Sequence, residues 1–226
     1  FKNRLPFVIY SDFESNNIPI STSKPNPNKS YINPIRKQTV NSYGIYVHSD
    51  YPEIYESQYF SYVGDDASKK YVEKIIKIFK KINYNIYKYE KKQPILSKRE
   101  EKKFQEATEC YICKEKFKEE TNKVREHNHL SGAYRGAACQ SCNTKEGKTT
   151  KLIPVFFHNG SNYDFHFLIE ELMKYEDDYN KIYKVKKINN STIYYTNGIN
   201  IDYDGKKELN ILKYKRGGHL IFNGGK

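Results

Sequence analysis

All four cysteines of this 226-residue chain stand in one constellation, Cys110-x-x-Cys113 and Cys139-x-x-Cys142. No other feature constrains the fold as strongly. Each pair can chelate from one knuckle, and four thiolates fill the tetrahedral shell of a structural Zn2+ with no open position. Disulfides are the competing use of the same residues. In a Lys-rich intracellular chain that opens with no secretion signal, however, paired C-x-x-C serves metal rather than cystine. The expected consequence is a compact zinc module over 97–150, inserted into a larger domain.

A chain of this length can build one main core plus something small. Its 39 Lys+Arg against 27 Asp+Glu leave a net charge of +12. A polyanion is the usual partner of a folded chain that carries so much self-repulsion, and DNA is the first candidate. An A/T-rich coding sequence, which enriches Lys, Asn, Ile and Tyr, would give the same balance without any binding. No apolar run reaches the length of a membrane span, so the chain is expected to be soluble and intracellular, with no membrane partner. Beginning at Phe1 rather than Met, it reads as a fragment or processed product.

The apolar run Leu5–Tyr10 ends in Ser11-Asp12-Phe13-Glu14, as in a buried strand whose end reaches a site. Residues 15–38, rich in Pro, Asn and Ser, read as a long loop. Runs at about 41–48 and 54–63 then read as strands that complete an antiparallel meander. Asp65 and Asp66 offer N-caps to a Lys-rich amphipathic helix over about 66–82, and a second charged helix over about 97–108 leads to the cysteines. Beyond them Leu152–His158 reads as a strand and 164–172 as a helix. That arrangement puts Asn159 and Asp164 at the strand's carboxyl end, where open α/β sheets build their sites. From Tyr179 onward, Ile and Tyr alternate with Lys and Asn between the hairpin signals Asn197-Gly198 and Asp204-Gly205. Ten Lys+Arg against three acids in 179–226 make this tail either a DNA-facing ribbon or a solvated sheet face.

Asp12 and Glu14, two apart on a strand, project to one face. Such a pair either repels or shares a cation. Mg2+ or Mn2+ suits carboxylates and substrate phosphate, and Asp164 is placed to complete the cage. Tyr10-Ser11-Asp12-Phe13-Glu14 and His158-Asn159-Gly160-Ser161-Asn162-Tyr163-Asp164-Phe165-His166 resemble the first two exonuclease motifs of family B DNA polymerases, most closely the protein-primed type of viruses, linear plasmids and Polinton/Maverick transposons. The resemblance implies that Asp12, Glu14 and Asp164 bind two catalytic metals, while Phe13 and Asn159 hold a single-stranded 3′ end. The family's third motif, Tyr-x-x-x-Asp, does not follow Asp164, and the palm motifs are missing, so polymerisation is not expected within this chain.

Between and beside the cysteines lie Arg125-Glu126-His127-Asn128-His129-Leu130-Ser131-Gly132, Tyr134-Arg135-Gly136 and Asn143. These resemble the His-Me finger (HNH) nucleases of the recombination endonuclease VII type. The resemblance implies His127 as general base, Glu126 and Asn143 as magnesium ligands with Glu146 a further candidate, and Arg125 and Arg135 as phosphate contacts. Glu126 stands where that family has Asp, and Asn128 where a second Asp is usual. A finger that binds DNA without cutting it is the alternative.

Together these readings give an α/β (α+β) chain with a ribonuclease H-like exonuclease fold and mixed sheet, interrupted by a small zinc-bound ββα-type module. The expected parts are 1–96 and 151–226 for the exonuclease domain and 97–150 for the module. The expected function is DNA processing as part of a family B polymerase, acting on single-stranded 3′ ends and branched or duplex DNA. A structure-specific HNH endonuclease and a non-catalytic DNA-binding fragment are the alternatives.

Overall fold

A computed structural model describes residues 5–20, 36–118, 122–158, 160, 163–174, 182–188, 191–196, 200–203, 208–212 and 219–223. Its centre is a mixed sheet. β1 (Phe7–Pro19) lies between β2 (Arg36–Ser49), antiparallel to it, and β6 (Leu152–Phe157), parallel to it, and β3 (Gln58–Val63) pairs with the far side of β2. Beyond β6 the sheet continues through β11 (His219–Asn223), β10 (Glu208–Leu212), β9 (Asn200–Tyr203), β8 (Ser191–Thr196) and β7 (Ile182–Ile188). The α+β class, the mixed sheet and the antiparallel meander expected at its start are all present. The hairpin signals at 197–198 and 204–205 lie outside the described residues, as does Asn159.

Alternation explains β1: Phe7, Ile9, Ser11 and Phe13 face the core, while Tyr10, Asp12 and Glu14 face out. The loop expected over 15–38 is corrected at both ends. After a register shift between Glu14 and Ser15, the β1–β2 ladder runs on to Pro19↔Arg36. These outer pairs are held by backbone hydrogen bonds and bury little, so hydrophobic periodicity, which reports burial, does not reveal them. β3 is in turn shorter than expected, because Ile54 and Tyr55 are buried in a turn that closes on the Tyr51 carbonyl.

The core lies between the sheet's inner face and two helices, α1 (Ala67–Tyr89) and α4 (Asp164–Lys174). α1 outruns the expected end at 82 because its apolar stripe continues through Ile86. Asp66 precedes the helix but makes no side-chain cap; its carboxylate accepts the Tyr62 hydroxyl instead, at 2.5 Å. Phe13, Tyr71 and Phe157 form an aromatic knot with centroids 4.7–6.0 Å apart, and the buried Tyr71 hydroxyl donates to Ser11 Oγ at 2.9 Å. Each such side chain contributes about 1.5–3 kcal/mol by burial. Among the described residues no helix is long and apolar enough to cross a membrane.

Between α1 and β6 lie α2 (Lys98–Glu106), the hairpin β4 (Lys123–His127) and β5 (Tyr134–Cys139), and α3 (Gln140–Thr149). α2 starts with a reciprocal capping box, in which Ser97 Oγ accepts from Glu100 N and the Glu100 carboxylate accepts from Ser97 N. The segment after α1 is no loose linker. Lys91 N donates to His129 O at 2.6 Å and Ile95 N to Gly132 O at 2.7 Å. Gly132, at φ +79, sits where a Cβ would come within 3.0 Å of Ile95, so both conformation and space require glycine there.

Candidate metal and catalytic centres

The four cysteines come from two knuckles. Cys110 and Cys113 lie on a turn closed by Lys114 N→Cys110 O and Cys110 N→Glu115 O, both 2.9 Å, with Lys114 at a positive φ of 64. Cys139 ends β5 and Cys142 sits in α3. All four sulfurs lie within 4.8 Å of one another and none is in a disulfide. The quartet could hold a zinc ion. Its electrostatics also call for a cation. Burial and the neighbouring thiols push Cys142 up to about 12. Cys110 is raised by burial, but backbone N–H groups of Cys113, Cys139 and Ile112 outweigh that and bring it to about 7. Four thiolates cannot share so small a space without a positive charge among them.

On the hairpin beside this cluster the register shifts between Glu126 and His127, a bulge that re-aims the following side chain. Glu126 is fully buried. One of its oxygens accepts from Arg135 Nε at 2.9 Å and from the Tyr111 hydroxyl at 2.6 Å, and the other accepts from Arg135 Nη2. Gly136 makes room for this, since a Cβ there would meet the Tyr111 ring at 2.6 Å. Arg135 Nη2 also lies 3.6 Å from Glu146, whose buried Oε2 has no hydrogen-bond partner. Arg125 is held by Glu101 of α2 through two bonds of 2.8 and 2.6 Å, with its guanidinium over Phe104. Arg125 and Arg135, expected as phosphate contacts, are thus each paired with a carboxylate, Glu101 and Glu126 respectively.

His127 Nε2 lies 2.9 Å from the Lys91 carbonyl and Nδ1 3.4 Å from the Arg125 carbonyl, both of which can only accept; the shorter contact is the one that favours the proton on Nε2 in the neutral ring. The ring stacks on His129 with centroids 4.7 Å apart. Burial and then the nearby His127 hold His129 below the ordinary histidine range, against the pull of Glu90, whose carboxylate is 3.3 Å from its Nδ1. His129 Nε2 is buried without a partner and faces Gly147 of α3. Asn128 is structural here: its Oδ1 accepts from Leu130 N and Ser131 N, and its amide donates to the Tyr51 hydroxyl. Asn143 follows Cys142 in α3. Sequence reasoning missed His129, Glu90, Lys91 and Tyr111; only the H-x-H spacing pointed to the first of these.

At the other candidate centre, Asp12 and Glu14 are exposed on the outer face, while Asp164 is buried at the start of α4. Asp164 Oδ1 accepts the Phe13 N–H at 3.0 Å across 151 positions of sequence, and its Oδ2 is buried without a hydrogen-bond partner. Burial first, then the charges of Asp12 and Glu14, raise Asp164 to about 6 against the Phe13 N–H that lowers it. The three acids therefore feel one another. They do not converge as tightly as expected: among the described residues the four cysteines are the group of possible ligands drawn within 4.8 Å. Phe13 is corrected outright. It is 2% exposed, locked against Tyr71 and Phe157, and offers no ring face to a base. With Asp12 and Glu14 facing out, the residue between them must face in.

No curated protein and no solved structure matches the chain. The family model described as recombination endonuclease VII matches residues 80–185, a span that takes in all four cysteines, Glu126, His127, Asn143 and Glu146. That central stretch is similar to recombination endonuclease VII.

Proposed function

We propose that the chain acts on DNA through its zinc-pinned hairpin and helix, as an endonuclease VII-like module in which His127 deprotonates the attacking water. The observation that carries the reading is the placement of His127, whose Nε2 lies 2.9 Å from Lys91 O, on the hairpin that leads into the cysteine quartet. The family match over 80–185 supports it. Glu126, Asn143 and Glu146 are oxygen donors of the kind magnesium or manganese prefers, and Glu146 Oε2 is a buried acceptor lacking a hydrogen bond. Such an ion, when bound, supplies charge stabilisation at the leaving oxygen. Both oxygens of Glu126 are engaged by Arg135 and Tyr111, so Arg135 has to turn to a DNA phosphate before Glu126 can ligate.

The test is nicking of branched and supercoiled DNA in magnesium and in manganese. Wild type should nick, and His127→Ala should abolish nicking while zinc content and DNA affinity stay nearly unchanged. A wild-type chain that binds DNA yet never nicks it in either metal leaves only a binding finger.

A second reading, a 3′–5′ exonuclease of ribonuclease H-like fold within a family B polymerase, draws on a different observation. The parallel β1–β6 pairing and the Asp164–Phe13 bond bring the two motif segments side by side, with an orphaned carboxylate oxygen between them. Digestion of single-stranded 3′ ends that requires Asp12 and survives His127→Ala would support it. Digestion abolished by His127→Ala would assign the activity to the module.

A further inference from the structure

The two faces of the described sheet differ in chemistry. The inner face is aliphatic and aromatic, built from residues such as Phe7, Ile9, Ile45 and Val47 under α1 and α4. The outer face of β6-β1-β2-β3 carries a row of four rings: Phe156, Tyr10, Tyr46 and Tyr59. They are register partners, Tyr10 beside Phe156 and opposite Tyr46, and Tyr46 opposite Tyr59. The row therefore crosses four strands, one ring per strand, at the strand spacing of about 4.8 Å. The rings are 38%, 51%, 42% and 64% exposed in that order, and Tyr10 stacks on Phe156 with centroids 5.9 Å apart. Tyr59 leans across Gly44, where a Cβ would meet its hydroxyl at 3.0 Å, and Gly44 is the register partner of Asp12. The row thus runs alongside the exposed acids.

We infer that this row is a stacking platform for the bases of a single-stranded nucleic acid. Exposed rings on successive strands present the π-faces that unpaired bases stack on, with little dependence on sequence. The surroundings speak against a protein cover. Beside the rings, the outward positions Ser42, Gly44, Ser61, Asp12 and Glu14 are polar, small or charged, with Val8 and Val63 the apolar ones, whereas the core of a protein interface is depleted of charge. Strands β7–β11 extend the same sheet beyond β6 and are not a second layer over this face. The net charge of +12 favours a polyanion over a second copy of the chain. The inference uses no residue of the zinc module and does not depend on its chemistry.

The experiment is fluorescence anisotropy with labelled oligothymidylate and an abasic oligomer of equal length, in zinc-containing buffer without magnesium so that no cleavage intervenes. The two probes share phosphates and differ only in bases. Wild type should prefer oligothymidylate by at least about tenfold. The triple variant Tyr10→Ala, Tyr46→Ala, Tyr59→Ala should erase that preference while leaving affinity for the abasic probe unchanged. Should the triple variant fail to melt cooperatively, Tyr59→Leu on the edge strand keeps the apolar area and removes the ring; a several-fold loss of the preference supports the inference and no loss overturns it. Equal affinity for both probes, binding of neither, or a triple variant that keeps the preference overturns it. So does a wild-type dimer that the triple variant dissociates without changing oligothymidylate binding, which would make the face a self-association surface.

Discussion

The cysteine module and the carboxylate end of the large sheet both gather acids, and they balance the charge in opposite ways. In the module, Glu126 is buried but answered by Arg135 and Tyr111, and Arg125 is answered by Glu101. At the sheet, Asp164 is buried with one oxygen answered by a backbone N–H and the other by nothing, beside two further acids. In the module the compensation stops at these pairs, since Glu146 Oε2 is buried there without a hydrogen bond. Uncompensated like charge marks a place that gains stability from a cation or a proton.

The largest expected effect separates the two regions directly. Stripping zinc, or replacing Cys142 with Ser, should unfold the hairpin and α3 at a cost on the order of 10 kcal/mol, while the large sheet keeps its strands. Metal analysis together with hydrogen exchange resolved by segment would show this, and equal loss of protection in β1 and β4 would break the separation. Next comes Glu126→Ala, which leaves the Arg135 guanidinium without its main partner and should cost roughly 3–5 kcal/mol in denaturant unfolding. A near-zero cost would mean that the ion pair does not hold the hairpin.

At the sheet the sign reverses. Asp164 sits at about 6 in the folded chain against an ordinary value of 3.8, so the folded state binds the proton more tightly. Its effect on stability is most favourable below about pH 4, worsens as pH rises towards 6, and is flat above that. Asp164→Asn should therefore stabilise the chain at pH 8 by up to roughly 3 kcal/mol and leave it unchanged at pH 3. Added magnesium should remove the advantage if the three acids take up a cation. Melting curves at the two pH values, with and without the metal, decide it. The smallest effect is Ser97→Ala, which loses the capping box and should cost about 1 kcal/mol, confined to the module.

How much of this was legible in advance follows the range of the interactions. The cysteine quartet could be read directly, because two C-x-x-C knuckles specify their own chelate geometry whatever surrounds them. The same is true of β1, β6 and α4 as elements and of the outward parity of Asp12 and Glu14. That parity already implied a buried Phe13; the error there came from giving a family role more weight than the alternation. The ends of β1 and β2 were not legible, since that ladder depends on backbone pairing and leaves no apolar pattern.

Sequence by itself determined the kinds of ligand present and the local spacing that groups them: four thiols, a histidine flanked by an acid, and two acids on one strand face. Tertiary structure alone decided which of those groups are already partnered. Glu101 with Arg125, Arg135 with Glu126 and Glu146, Lys91 O with His127, and Asp164 with Phe13 N are meetings between separate segments. The row of Phe156, Tyr10, Tyr46 and Tyr59 likewise exists only through strand register. The physical reason is that a side chain's charge and reactivity depend on what lies within a few ångströms of it, and in a folded sheet those neighbours are chosen by strand order and register rather than by position along the chain.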